Sequence, residues 1–161
     1  MVRKTIRRSK DAFKWIVGIL QKNNIPFQIS GGLAAHIYGS QRPLADIDIE
    51  IPDKHFEDII LDVEKHVVYG PKRYVDKEWD ILLMTMRYGN QDIDISGCET
   101  ERLFDKKKKN WVKTNADLSK AVRKKVFGLA VPVIPKEDLI GYKSIIMRKV
   151  DIFDINSLKR Q

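Results

Sequence analysis

Four aspartates stand in two short alternations, Asp46-Ile47-Asp48-Ile49 and Asp92-Ile93-Asp94-Ile95. In an extended strand alternate residues share a face, so Asp46 and Asp48 project together, roughly 6.6 Å apart at Cα. The isoleucines between them turn the other way, into a core. Neighbouring carboxylates on one face repel, and a fold tolerates that when a cation lies between them. Hard oxygen ligands on so short a stretch favour magnesium or manganese over zinc. Asp94 lies deeper in its strand than Asp92, which stands nearer the Gly89-Asn90 turn. Asp94 is therefore the third candidate ligand and Asp92 the surface group. One D-x-D is commonplace; two, each set among isoleucines, are less so.

Upstream of the first pair stand Gly31-Gly32, then Arg42 in a loop. Glycines that leave a strand and open a helix let backbone N–H groups come close to an anion. Arg42, four residues before Asp46, can reach a phosphate held by the same cations.

These residues need elements to position them. Phe13, Ile16, Val17 and Leu20 recur with helical spacing, so a first amphipathic helix is expected, with Ser9 as its N-cap and Asn23-Asn24 as its stop. Strands are expected at "PFQIS", from Asp46 to Ile51, at "DILLMTMRY", at "QDIDIS" and at "GLAVPVI". Gly89-Asn90 marks a hairpin between the third and fourth of these. A short helix follows Gly32, another runs from His55 to His66, and a third from Pro135 to about Arg148, with a further turn or two from Asp151. Residues 69–79 read as irregular, and the lysine-rich stretch from Asp105 as loop or exposed helix. The expected class is α/β (α+β), a small mixed β-sheet flanked by helices, in a single domain over 1–161.

The composition, 43% hydrophobic and 32% charged, is that of an ordinary globular chain. No apolar run approaches the roughly 20 residues of a membrane span, no secretory signal follows the basic N-terminus, and a lone Cys98 excludes an internal disulfide and a cysteine zinc cluster. A cytoplasmic setting without a membrane partner is the expectation. The net charge of +8 is uneven: residues 1–22 carry +6, 23–98 carry −6, and 99–125 carry +6. Such asymmetry suits an anionic partner, nucleoside triphosphate or nucleic acid. Lys106 to Lys109 with Trp111 could track a phosphate backbone; the plainer reading is a solvated loop with Trp111 tucked into the core.

Gly31-Gly32, Gly39, Arg42, Asp46-Ile47-Asp48 and the later Asp94 together resemble the nucleotidyltransferase superfamily of DNA polymerase beta, above all its minimal, antibiotic-modifying and toxin-type members. The resemblance covers about residues 25–96 and continues weakly through "VPVIPKEDLIGYKSIIMRKVDIFDI". It implies a nucleotidyltransferase-like fold and transfer of a nucleoside monophosphate from a nucleoside triphosphate to an acceptor hydroxyl, releasing pyrophosphate. It implies Asp46, Asp48 and Asp94 as catalytic carboxylates around two Mg2+ (or Mn2+) ions, with Asp94 helping to deprotonate the acceptor. It implies Gly31, Gly32 and Arg42 at the triphosphate, and Lys143 on a helix facing the nucleotide. Leu44 stands where relatives often have threonine or serine, and the second helical domain of larger members is missing. A small molecule, tRNA or other RNA, or a protein hydroxyl would all fit as acceptor, with net charge mildly favouring RNA; a partner subunit or second copy would supply determinants a small chain lacks. Two other readings compete. One is a non-catalytic nucleotide- or RNA-binding module, or a toxin–antitoxin component, on the same fold. The other is a metal-dependent phosphohydrolase, disfavoured because His36, His55 and His66 do not cluster with the aspartates in sequence.

Overall fold

The computed structural model describes residues 2–160, with side chains from Arg7 onward. Helix α1 (Val2–Lys22) presents Phe13, Ile16, Val17 and Leu20 to the core, each fully buried. Ser9 does not cap it. The helix begins earlier, and the Ser9 hydroxyl turns inward to donate to Gln91 Oε1 at 2.7 Å. A serine that has a buried acceptor within reach has no need of the helix terminus.

The chain continues through β1 (Gln28–Ser30), α2 (Gly31–Ile37), β2 (Ile47–Ile51) and α3 (Phe56–Val63). Next come β3 (Val67–Val75), β4 (Trp79–Tyr88), β5 (Gln91–Gly97), β6 (Arg102–Asp105) and β7 (Asn110–Lys113). The last elements are β8 (Val122–Val126), β9 (Leu129–Val133), α4 (Lys136–Ile146) and α5 (Lys149–Lys159). The nine strands form one mixed sheet in the order β7-β6-β4-β5-β2-β1-β9-β8, with β3 paired to β4. The β1–β9 and β2–β5 pairs are parallel and the others antiparallel.

The class is the expected one, but the sheet is larger. Residues 69–79, read as irregular, lie largely in β3. That strand has one neighbour and irregularly spaced exposed positions, so it lacks the apolar run that betrays a buried strand. Strand β8, with the sequence VRKKV, was hidden for the same reason. The lysine-rich stretch is the turn of the β6–β7 hairpin. Asp105 Oδ1 accepts the Lys107 and Lys108 N–H groups there at 2.9 Å each. Trp111 is half-buried, edge-on to Phe104 at 5.6 Å. The hairpin at Gly89-Asn90 forms as expected, both residues at positive φ (54° and 67°) as a type I′ turn requires. Among the described residues no helix is long and apolar enough to cross a membrane.

One register decides where the site lies. Ile47, Ile49 and Ile51 of β2 and Ile93 and Ile95 of β5 are fully buried in the main core with α1 and α3. Burying each contributes about 1.5–3 kcal/mol. A one-residue slip would exchange all of them for carboxylates, so the core fixes the alternation. The opposite face of the same strands then carries Asp48, Glu50 and Asp94.

Candidate active site

Strands β2 and β5 lie side by side and parallel, with Asp48 directly opposite Asp94. Asp46 sits one residue before β2, still on the same face. All three line a cleft of about 380 Å³, as do Gly31, Gly32, Arg42 and Lys143. Asp92 is not part of the cleft lining and pairs at the surface with Arg87 at 2.8 Å, near enough for its charge to reach Asp46 and Asp94. The histidines lie apart from the cleft lining: His55 pairs with Asp58, and His66 packs on Trp15 and Tyr88.

The three carboxyls are all pushed above the usual carboxylate range. Burial is the largest cause at each. Asp46 is raised further by Asp94 and Asp92, Asp94 by Asp92, and Asp48 by Asp94 and Asp46, to about 7. Hydrogen bonds counter this in part. Asp48 Oδ2 accepts the Gly32 N–H at 3.2 Å, and Asp94 Oδ1 accepts the Thr85 hydroxyl at 2.6 Å.

Among the described residues no three acidic, histidine or cysteine groups close into a metal cage. An open arrangement of carboxylates, completed by substrate phosphates and water, is what magnesium commonly takes. The donor set is all oxygen, and none of the three carboxyls has an ion-pair partner among the described residues, a chemistry that fits a divalent cation.

The glycine pair is required sterically. Gly31 has φ +58°, and a Cβ there would lie 2.1 Å from Asp48 Oδ2. A Cβ at Gly32 would stand 3.0 Å from the Arg42 guanidinium. We expect Gly31→Ala to destabilise the fold by about 1–2 kcal/mol from backbone strain alone, with a further cost for displacing Asp48. Urea denaturation checks this: a loss confined to about 1–2 kcal/mol would show that Asp48 is free to move, and unchanged stability would contradict the strain argument.

Arg42 and Lys143 are joined by an aspartate of the last helix. Asp154 of α5, fully buried, accepts from Arg42 Nε at 3.1 Å, Arg42 Nη2 at 2.8 Å and the Ser40 hydroxyl at 2.7 Å. Lys143 Nζ lies 3.1 Å from both Asp154 and Asp151. Burial would raise both aspartates, but their cationic and hydroxyl partners prevail and hold them lowered. Asp151 also stands at the start of α5, where it accepts the Arg148 N–H at 3.0 Å. Lys143, 1% exposed, lies at the floor of the cleft with two carboxylate partners. It anchors Asp154, which in turn sets the Arg42 fork against Gly32. Leu44 packs partly buried against the core.

Other cleft residues escaped the sequence reading. Glu50 continues the Asp46-Asp48 alternation, and that spacing could have revealed it. Trp79 and Tyr142 meet at 6.3 Å, with the Arg148 guanidinium 5.5 Å over Trp79; nothing in the sequence brings residues 79, 142 and 148 together. Cys98 is buried with its thiol pushed up to about 12, burial being the main cause, which disqualifies it as a nucleophile.

No protein-family model matches this sequence, and no curated protein does. Solved structures do. TM1012 of Thermotoga maritima, described as a candidate nucleotidyltransferase, is similar over 93% of this chain and 89% of its own, at TM-score 0.70 and 15% identity. The lincosamide antibiotic adenylyltransferase LnuA, in a lincomycin-bound structure, is similar over 91% and 94%, at 0.59 and 15%. ANT(2'')-Ia, solved with adenylyl-2''-tobramycin, is similar over 94% and 88%, at 0.57 and 15%. At these identities the likeness is one of architecture: the chain has the nucleotidyltransferase fold.

Proposed function

We propose that this protein transfers a nucleoside monophosphate from a nucleoside triphosphate to an acceptor hydroxyl. The observation that carries this is the register of β2 and β5. It sets Asp48 opposite Asp94 in the cleft that also holds Gly31, Gly32 and Arg42. The adenylyltransferases that share the fold support the same reaction class.

Divalent cations held by Asp46, Asp48 and Asp94 would lower the pKa of the acceptor hydroxyl and offset charge on the departing pyrophosphate. The chain's own groups do the rest. Asp94, fixed by Thr85, takes the acceptor proton while the acceptor oxygen bonds to the α-phosphorus and the bond to the β-phosphate bridge breaks. The raised affinity of Asp94 for a proton suits that role. Arg42, oriented in advance by Asp154, offers its remaining N–H groups to phosphate oxygens. The Gly32 N–H, now on Asp48, is a second donor. Trp79 and Tyr142 wall the cleft with aromatic surface against which a base can lie. Lys143 is a positioning residue here, acting on phosphate through Asp154 and Arg42.

Incubation with each α-phosphate-labelled nucleoside triphosphate, magnesium or manganese, and cell extract tests the proposal. Label is expected in one acceptor, with pyrophosphate released. Triphosphate binding seen by calorimetry, with no label transferred to any species, would replace this reading with the binding-module one.

A further inference from the structure

Behind the aspartate-lined cleft lies a second chamber of about 300 Å³, sharing Glu50, Glu101 and Tyr142 with it. Its lining holds five acids and one lysine; the lysine, Lys120, is exposed and leans on Asp117 at 4.0 Å. Glu50 and Glu101 are each 7% exposed and have no cationic partner among the described residues. Their hydrogen bonds come from neutral groups. Gln28 Nε2 donates to Glu50 at 2.5 Å, and the Thr114 hydroxyl donates to Glu101 at 2.8 Å.

Gln28 supplies an independent observation. It lines this chamber and is 1% exposed. Donation to Glu50 fixes its amide orientation, and its side-chain carbonyl is then left buried without any partner. A native fold rarely orphans such an acceptor. The chamber therefore buries three acceptor-bearing groups with no cation paired to them: the carboxyls of Glu50 and Glu101 and the amide oxygen of Gln28. A primary ammonium has three donors and no acceptor, and buried carboxylates are stabilised by a cationic partner.

We propose that this chamber binds an alkylammonium group, and that it is the subsite for a protonated amine of the acceptor. The two cavities share Glu50, Glu101 and Tyr142, so a molecule reaching across these residues would place an amine at Glu50 and Glu101 and a hydroxyl toward Asp94. The overall charge of +8 suggested an anionic acceptor; the local charge of this wall opposes one. The acceptor assignment rests on the transferase reading; ammonium binding does not.

Calorimetry on the full chain with 1,4-diaminobutane, without nucleotide or metal, tests the site, with 1,4-butanediol as the neutral control. Saturable binding of the diamine alone is expected, weakened about tenfold or more in Glu101→Gln and Glu50→Gln and unchanged in the surface variant Asp92→Asn. Glutamine keeps the Thr114 bond at position 101, and circular dichroism confirms that each variant is folded. No saturable heat, or equal binding in wild type and Glu101→Gln, would mean that the chamber holds water only and would overturn the proposal. Neither result bears on nucleotidyl transfer, and absence of label transfer would leave diamine binding intact. With transfer running, the diamine is expected to compete with the acceptor and not with the triphosphate; lack of competition overturns the acceptor assignment.

The same acid pair carries a pH prediction. Burial first, and Glu50 second, push the Glu101 carboxyl up to about 8. Between its ordinary value and about 8 the folded protein holds a proton that the unfolded chain has released. Stability is therefore fully present below that window and falls as pH rises through it. Glu101→Gln should flatten that slope in urea denaturation series run at stepped pH. A wild-type slope of the opposite sign would contradict the burial argument.

Discussion

Asp48→Asn is expected to abolish label transfer and, in the absence of divalent cations, to make the protein more stable. The two effects have one origin. The Asp48 carboxyl is buried between Asp46 and Asp94 and is pushed up to about 7. Below its ordinary value the folded and unfolded chains are equally protonated. As pH rises toward 7 the folded state is penalised for a charge that its neighbours resist. Asparagine carries no charge and can still accept from the Gly32 N–H. At pH 8, with chelator present, the variant should gain roughly 2–4 kcal/mol in urea denaturation. The activity change runs the other way. Loss of an outer partner of a metal ligand commonly costs 10–100-fold, so loss of a ligand itself should cost more than about 100-fold. Asp94→Asn should behave alike in transfer. A purely structural aspartate would lose stability, not gain it. Undiminished transfer by Asp48→Asn would end the catalytic reading.

Lys143→Met should be the most destabilising single change in the cleft. The lysine holds two fully buried carboxylates, Asp151 and Asp154, and removing it leaves both with less compensation. Breaking a buried pair on one side typically costs about 3–5 kcal/mol. Arg148 still serves Asp151, and Arg42 still serves Asp154, so collapse is not expected. The double variant Lys143→Met/Asp154→Asn should recover part of the loss, because it removes the stranded charge as well. Midpoints of denaturant unfolding measure all three proteins. A loss below about 1 kcal/mol in Lys143→Met would show that the two arginines suffice. Triphosphate binding should weaken most in the double variant, where the Arg42 fork loses its carboxylate partner.

The sequence made the centre of the fold legible and its margins obscure, for a physical reason. Strands β2 and β5 are buried on one face and charged on the other, so their alternation announces both the core and the carboxylates. The turns at Gly31-Gly32 and Gly89-Asn90 need conformations that few residues adopt, and glycine marks them. Strands β3 and β8 are half-solvated margins whose exposed residues carry no period. Asp154 was readable only as a helix residue, because its partners, Ser40 and Arg42, lie more than a hundred positions away. Thr85 was missed because a threonine in a strand is ordinary until its cross-strand neighbour is known to be Asp94. Gln28 stood in plain view in a predicted strand, but its orphaned carbonyl exists only once Glu50 is placed beside it.

The link between Arg42 and Asp154 spans 112 residues, and this bears on the order in which the protein becomes competent. Synthesis delivers the glycines, the arginine and all three cleft aspartates long before the helix that steadies the arginine. A growing chain therefore has its acidic residues early and the anchor of its arginine last. Proteolytic removal of the α5 segment from a finished molecule would return it to that unfinished condition, with the sheet in place and the guanidinium adrift.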